Sequence, residues 1–203
     1  MEGNTGKVAI RKLISAPNET NAYVLINGDE AALIDAPDAY GQVKQILDQA
    51  GATVKYLLVT HGHESHIHSL AAFREQMGGM VCLHELECEF LQERGHKIEP
   101  DLLVRDKTSL KLKDVVILAL HTPGHTKGSL CFYVRSANAL FSGDTLLKGE
   151  FGKIWGPHSM GLMLRSLKRL NNIIPPKTSV YPGHGSTTTM SQEAWLDALD
   201  NLS

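Results

Sequence analysis

Leu58-Val59-Thr60-His61-Gly62-His63-Glu64-Ser65-His66-Ile67-His68 places four histidines within eight positions, directly after the apolar run Tyr56–Val59. That run reads as a buried strand. A strand end feeding a tight loop is where a rigid scaffold aims short side chains at one point. In extended chain, residues i and i+2 face the same side, so His61 and His63 can share one metal ion. His66, after a turn into the next helix, can reach a neighbouring point. Neutral imidazole is the commonest zinc ligand and also suits iron and manganese.

Three later stretches have the same form, a strand end followed by a glycine turn that carries a potential ligand: His121-Thr122-Pro123-Gly124-His125-Thr126, Phe141-Ser142-Gly143-Asp144-Thr145 and Val180-Tyr181-Pro182-Gly183-His184-Gly185. Glycine permits a backbone turn that other residues resist and leaves room beside the ligand. Taken singly, each stretch is an ordinary polar turn. Taken with the histidine cluster, they form an ordered set.

Around these turns the chain alternates strands and helices. Val8–Ser15, Ala22–Ile26 and Ala31–Ile34 read as a β-meander, with Asn27-Gly28-Asp29 as a turn. Val43, Ile46, Leu47 and Ala50 fall at helical spacing before Gly51. A helix through Ile67, Leu70, Ala71 and Met77 ends at Gly78-Gly79, Met80–Leu83 reads as a strand, Glu85–Arg94 as a helix and 95–105 as a surface loop. Val115–Leu120, Leu130–Val134, Ala139–Phe141 and Ser179–Tyr181 read as strands. Met160, Met163, Leu164, Leu167 and Leu170 mark a helix stopped by Pro175-Pro176. Trp195, Leu196, Leu199 and Leu202 predict a closing amphipathic helix. This pattern predicts an α/β chain with packed sheets and outer helices.

The ordered set His-x-His-x-x-His, Pro-Gly-His-Thr, Ser-Gly-Asp-Thr and Pro-Gly-His-Gly resembles the metallo-β-lactamase-fold superfamily, and within it the short glyoxalase II-like and persulfide-dioxygenase-like branch. The likeness covers most of the chain and extends upstream through Asn21-Ala22-Tyr23-Val24-Leu25 and Leu33-Ile34-Asp35. It implies a four-layer αββα sandwich of two mixed sheets, a single domain over residues 1–203, with the metal site at one edge. It implies one metal on His61, His63 and His125, a second on His66 and His184, and Asp144 bridging both, with Asp144 and His184 as catalytic residues. Zinc is the expected ion, one or two per chain, with iron or manganese as alternatives. The implied activity is hydrolysis of a thioester or related small ester by metal-bound hydroxide. A mononuclear iron persulfide dioxygenase, or a metal-binding domain with impaired catalysis, is the competing expectation.

The departure from the family pattern that bears on the metals is at position 65. The family writes aspartate where this chain has Ser65, and a hydroxyl is a poor ligand and no carboxylate base. The second site is therefore expected to be the weaker one. Glu64 and His68 are weighed as substitutes; Glu64 is expected to face away from its neighbours His63 and Ser65, and His68 to line the rim. Asp35 reads either as an acceptor orienting a ligand histidine or as a structural turn residue. Lys153, in Phe151-Gly152-Lys153-Ile154-Trp155, is the candidate anchor for a substrate carboxylate, with Trp155 and His158 beside it. His121 is expected to pack or orient its loop, and His84 and His96 to be solvated. The region that completes glutathione binding in full glyoxalase II has no counterpart after His184, so glutathione specificity is not expected.

Composition narrows the partners. Over 203 residues, 42% are hydrophobic and 21% charged, ordinary globular values that argue against disorder. The net charge of −2 offers no phosphate track, so nucleic acid is not an expected partner; a small-molecule substrate is. No apolar run nears the roughly 18 residues of a membrane span, and the first residues show no export signal. Three unclustered cysteines, Cys82, Cys88 and Cys131, suit a reduced cytoplasm and read as buried fillers. The oligomeric state stays open, with a homodimer as one candidate.

Overall fold

Strand β2 (Thr20–Asn27) is buried at every position, so it must be covered on both faces. Its alternation shows by what. Ala22, Val24 and Ile26 join one apolar core, while Tyr23 and Leu25 join another. In this computed structural model, which describes residues 8–16 and 19–201, β2 sits in a six-stranded sheet of order β1-β2-β3-β4-β5-β6. The other members are β1 (Ala9–Ser15), β3 (Glu30–Ile34), β4 (Thr53–Leu58), β5 (Met80–Leu83) and β6 (Leu102–Leu103). The first three strands run antiparallel as the expected meander, and β3 to β6 run parallel.

The second sheet has the order β12-β11-β10-β9-β8-β7. Its strands are β7 (Ser109–Leu112), β8 (Val115–His121), β9 (Leu130–Val134), β10 (Ala139–Gly143), β11 (Ser179–Pro182) and β12 (Thr188–Thr189). All neighbours are antiparallel except β10 and β11. β9 repeats the two-sided logic of β2: Leu130, Phe132 and Val134 face the first sheet, and Cys131 and Tyr133 face outward.

Helices cover both outer faces. Val43 and Leu47 of α1 (Tyr40–Ala50), Ile67 of α2 (Glu64–Ile67), Leu70 and Phe73 of α3 (Leu70–Met77) and Leu91 of α4 (Glu85–Glu93) pack on the first sheet. Met163, Leu167 and Leu170 of α5 (Pro157–Ile173) pack on the second, together with Leu196 and Leu199. Two mixed sheets between helices give the four-layer αββα sandwich. The 3₁₀ turns over Ala194–Asn201 replace the expected amphipathic α-helix, and Leu202 lies outside the described residues. Three short strands escape the sequence pattern: β7, β12 and β6, the last inside the segment read as loop. Two or four residues are too few to show a period, and their pairing partners decide them. Among the described residues no helix is long and apolar enough to cross a membrane.

The topology gathers the four glycine turns. Loops leaving β4, β8, β10 and β11 meet at one edge of the sandwich, where the two sheets face each other. Phe132 is fully buried in the core between the sheets. Phe132→Ala is expected to lower the unfolding free energy by about 3–5 kcal/mol. A fall in the urea midpoint at unchanged slope would show it.

Candidate metal centre

Two clusters of donors meet at this edge. In the first, His61 Nε2 and His125 Nε2 lie 3.0 and 2.9 Å from His63 Nδ1. Asp144 Oδ2 stands 3.5 Å from His125 Nε2 and 3.9 Å from His61 Nε2. In the second, His66 Nε2 and His184 Nε2 are 3.2 Å apart, and His66 Nε2 is 3.7 Å from Asp144 Oδ1. Asp144 thus turns one oxygen to each cluster, although Oδ2 also lies 3.6 Å from His184 Nε2. Donors about 2.0–2.1 Å from a tetrahedral ion stand roughly 3.3 Å from one another, so these spacings suit a common ion. His61, His63 and His125, and separately His61, His66 and Asp144, are groups able to hold one.

Neighbours fix which ring nitrogen faces inward. Lys153 O can only accept, so the His125 Nδ1 proton, 2.9 Å away, leaves Nε2 with a free lone pair. Asp35 Oδ2 does the same for His66 from 2.8 Å. Thr60 donates its hydroxyl to Asp35 Oδ2 and can accept from His61 Nδ1 at 3.1 Å. Asp35 also takes the Thr60 backbone N–H at 2.8 Å. It does so from a left-handed backbone with φ of 60°, an uncommon state for aspartate that its three hydrogen bonds hold in place. Of the two readings of Asp35, the orienting contact is the one seen.

Glu87 is a residue the sequence reading passed over. It lies on α4, buried, and accepts from Gly62 N at 2.6 Å, Gly128 N at 2.8 Å and Thr126 Oγ1 at 2.7 Å. One carboxylate therefore ties the loop of His61 and His63 to the loop of His125. A lone glutamate in an acidic helical segment carries no such signal. Glycines make the close approaches possible. A Cβ on Gly183 would overlap Asp144 Oδ1 and His66 Cε1, and one on Gly152 would overlap Asp144 and crowd His125.

Burial shapes the titration of the cluster. It lowers His61 well below the usual imidazole range, lowers His63 to about 4 and lowers His125, with neighbouring imidazoles adding to the effect. His66 is just as buried, but the charge and hydrogen bond of Asp35, with Asp144, outweigh burial and raise its pKa.

Other candidates stand outside the cluster. Glu64 points away and contacts His68 Nδ1 at 3.3 Å and His96 Nε2 at 3.1 Å; Glu64 and His68 are exposed and His96 is half-buried. Ser65 is partly exposed. Lys153 is exposed, with its ammonium 4.4 Å from the centroid of the Trp155 ring. His84 is not solvated as expected: it is buried, caps α4 by accepting from Leu86 N, and stacks on His121 with centroids 4.2 Å apart. His121 also reaches Lys127 O, which orients the loop of His125. A cavity of about 510 Å³ opens over His63 and His125 between α4 and α5.

Two outcomes are expected. Glu87→Ala leaves the buried Gly62 and Gly128 amides without an acceptor, at about 1–3 kcal/mol each, and weakens metal binding roughly 10–100-fold in a chelator competition. Second, His61, His63, His84 and His125 bind protons less readily folded than unfolded. Unfolding thus takes up protons below ~6.5, and metal-free protein loses stability as pH falls from there towards ~4. His66 acts in the opposite sense, one group against four. Melting temperatures of chelated protein should therefore drop between ~pH 7 and ~pH 5; a flat profile would contradict this.

Comparison with known proteins agrees with this geometry. The family model described as "Metallo-beta-lactamase superfamily" matches residues 16–198. The "Probable metallo-hydrolase YqgX" of Bacillus subtilis is 30% identical over 198 residues, covering 90% of this chain and 93% of that protein. A "Hydroxyacylglutathione hydrolase" of Bartonella quintana is 35% identical over 174 residues, 84% of this chain and 65% of that protein, so the likeness spans just under two thirds of its length. Among solved structures, the BLEG-1 B3 metallo-beta-lactamase aligns with a TM-score of 0.80 at 31% identity, covering 92% of this chain and 96% of that one. With the fold, the edge site and a family match over nearly the whole length, this chain belongs to the metallo-beta-lactamase superfamily.

Proposed function

We propose that this chain is a metal-dependent hydrolase of a thioester or related small ester. The observation that carries the reading is the shared carboxylate: Asp144 faces three imidazoles through one oxygen and the His66 imidazole through the other. The residues fit an ion on a further count. Asp144 Oδ1 is buried and has no hydrogen-bond partner, a costly state for a carboxylate oxygen unless a cation satisfies it. The relatives named as hydrolases support the class of reaction.

When bound, a divalent ion supplies positive charge to a carbonyl oxygen and lowers the pKa of water towards neutrality. The chain's own side chains do the holding. His61, His63 and His125 present neutral lone pairs, and Asp35 keeps the His66 proton on Nδ1. The second cluster has two imidazoles against three in the first, and Ser65 adds no negative charge to it. The first position therefore fills more tightly, with zinc as the expected ion. Position 65 can accept no proton, so turnover is slower than with a carboxylate there. Lys153, at the rim over Trp155, is the proposed contact for a substrate carboxylate, and the three free thiols suit a cytoplasmic setting.

The test is metal content and thioester hydrolysis of the native chain and of Ser65→Asp. The expected result is about one tightly held ion natively, a second in the variant, and turnover raised by about 10-fold or more. A chain that takes up no divalent ion would end the proposal. Iron in the first position with oxygen uptake on glutathione persulfide would replace hydrolysis by persulfide oxidation.

A further inference from the structure

Three apolar side chains belong to none of the cores that organise the sandwich. Leu86 on α4, Leu162 on α5 and Trp155 before α5 are absent from all three clusters. Together with Phe90, they line the cavity that opens over His63 and His125. Trp155 is 60% exposed, a large cost in apolar surface for a side chain with no core to join.

Local geometry explains how they come to one place. Leu86 and Phe90 are four residues apart on α4 and so share one face of the helix. Leu162 occupies the second turn of α5, in the opposite outer layer. The indole of Trp155 is held by its N–H donating to His125 O at 3.0 Å. Phe90 and Trp155 flank the His63 ring, with centroids 5.7 and 6.1 Å from it. An ester carbonyl presented to the His61–His63–His125 cluster would thus have an apolar trough of about 510 Å³ beside it. That volume lies within the range of small-molecule pockets.

Charge at the rim is mixed. Arg94 and Lys127 line the cavity alongside Glu87, Glu89 and Glu93, and the Lys153 ammonium stands over the Trp155 ring. The Arg94 guanidinium lies 3.6 Å over the Phe90 ring. With both signs interspersed, and Lys153 assigned to a substrate carboxylate, the apolar walls are what remains to select the acyl group.

We infer that this cavity is an acyl pocket, and that the preferred substrate carries an apolar acyl group of medium length, aliphatic or aromatic, seated among Leu86, Phe90, Trp155 and Leu162. The inference rests on the proposed hydrolase reading for its chemistry. The pocket itself can be tested without any turnover.

The binding test uses octanoate and acetate on metal-loaded protein carrying Trp195→Phe, which leaves Trp155 as the only indole. The expected result is a saturable change in Trp155 emission with octanoate, none with acetate at equal concentration, and loss of the octanoate response in Leu162→Asp. Circular dichroism melts check that this variant is folded, and Phe90→Ala gives a second route to the same loss. The turnover test compares acetyl to octanoyl thioesters of one thiol. Specificity, kcat/KM, should climb by up to about fourfold per methylene until the trough is full, and Leu162→Asp should flatten the climb. Octanoate binding without hydrolysis of any thioester would keep the pocket and remove the hydrolase. Hydrolysis that ignores acyl length, with no Trp155 response, would keep the hydrolase and overturn the pocket.

Discussion

A buried carboxylate with an unsatisfied oxygen is the constraint around which this molecule is arranged. Asp144 sits at the end of β10 with four imidazoles within 4 Å and no donor on Oδ1. Removing a charge from water without a partner is one of the most expensive things a fold can do. Everything nearby is consistent with an arrangement kept for a cation. His66 and His125 turn lone pairs inward because their far nitrogens are tied to a carboxylate and a backbone carbonyl, the far nitrogen of His61 meets the Thr60 hydroxyl, and glycines at 152 and 183 leave the space clear. The sandwich supplies the rigidity, because each contributing loop leaves a strand that is hydrogen-bonded within one of the two sheets.

Much of this was legible in the sequence, for a physical reason. Strands buried on both faces are dense in apolar residues, and their ends are marked by Gly, Pro, His and Asp in short turns. The runs before His61, Asp144 and His184 announced both a strand and a ligand. β2 and β9 were readable for the same reason. What escaped was decided by long-range pairing. β6 and β12 have two residues each and exist because β5 and β11 offer them an edge. The 3₁₀ form of the 194–201 segment likewise could not be told from an α-helix by the spacing of Trp195, Leu196 and Leu199.

The site shows the same division. Side chains that face the cluster sit in recognisable turns, whereas those that support it do not. Glu87 looks like any helical glutamate until folding buries it against Gly62, Thr126 and Gly128. His84 has no motif, yet it caps a helix and stacks on His121. Lys153 was singled out for its ammonium, but its carbonyl makes the firmer contact with the cluster, through His125 Nδ1. Backbone roles of this kind leave no trace in residue identity.

The turn that carries His184 is fastened to the beginning of the first sheet. Asn21 Nδ2 donates to Pro182 O and Gly185 O, Tyr23 OH donates to Pro182 O, and these contacts span 161, 164 and 159 residues. Links of such separation form only after the chain has closed a very large loop, and they are the slow ones in folding. The trio at 61, 63 and 125 needs a much shorter stretch of chain. The second cluster therefore carries the larger loop-closure cost of the two halves of the centre.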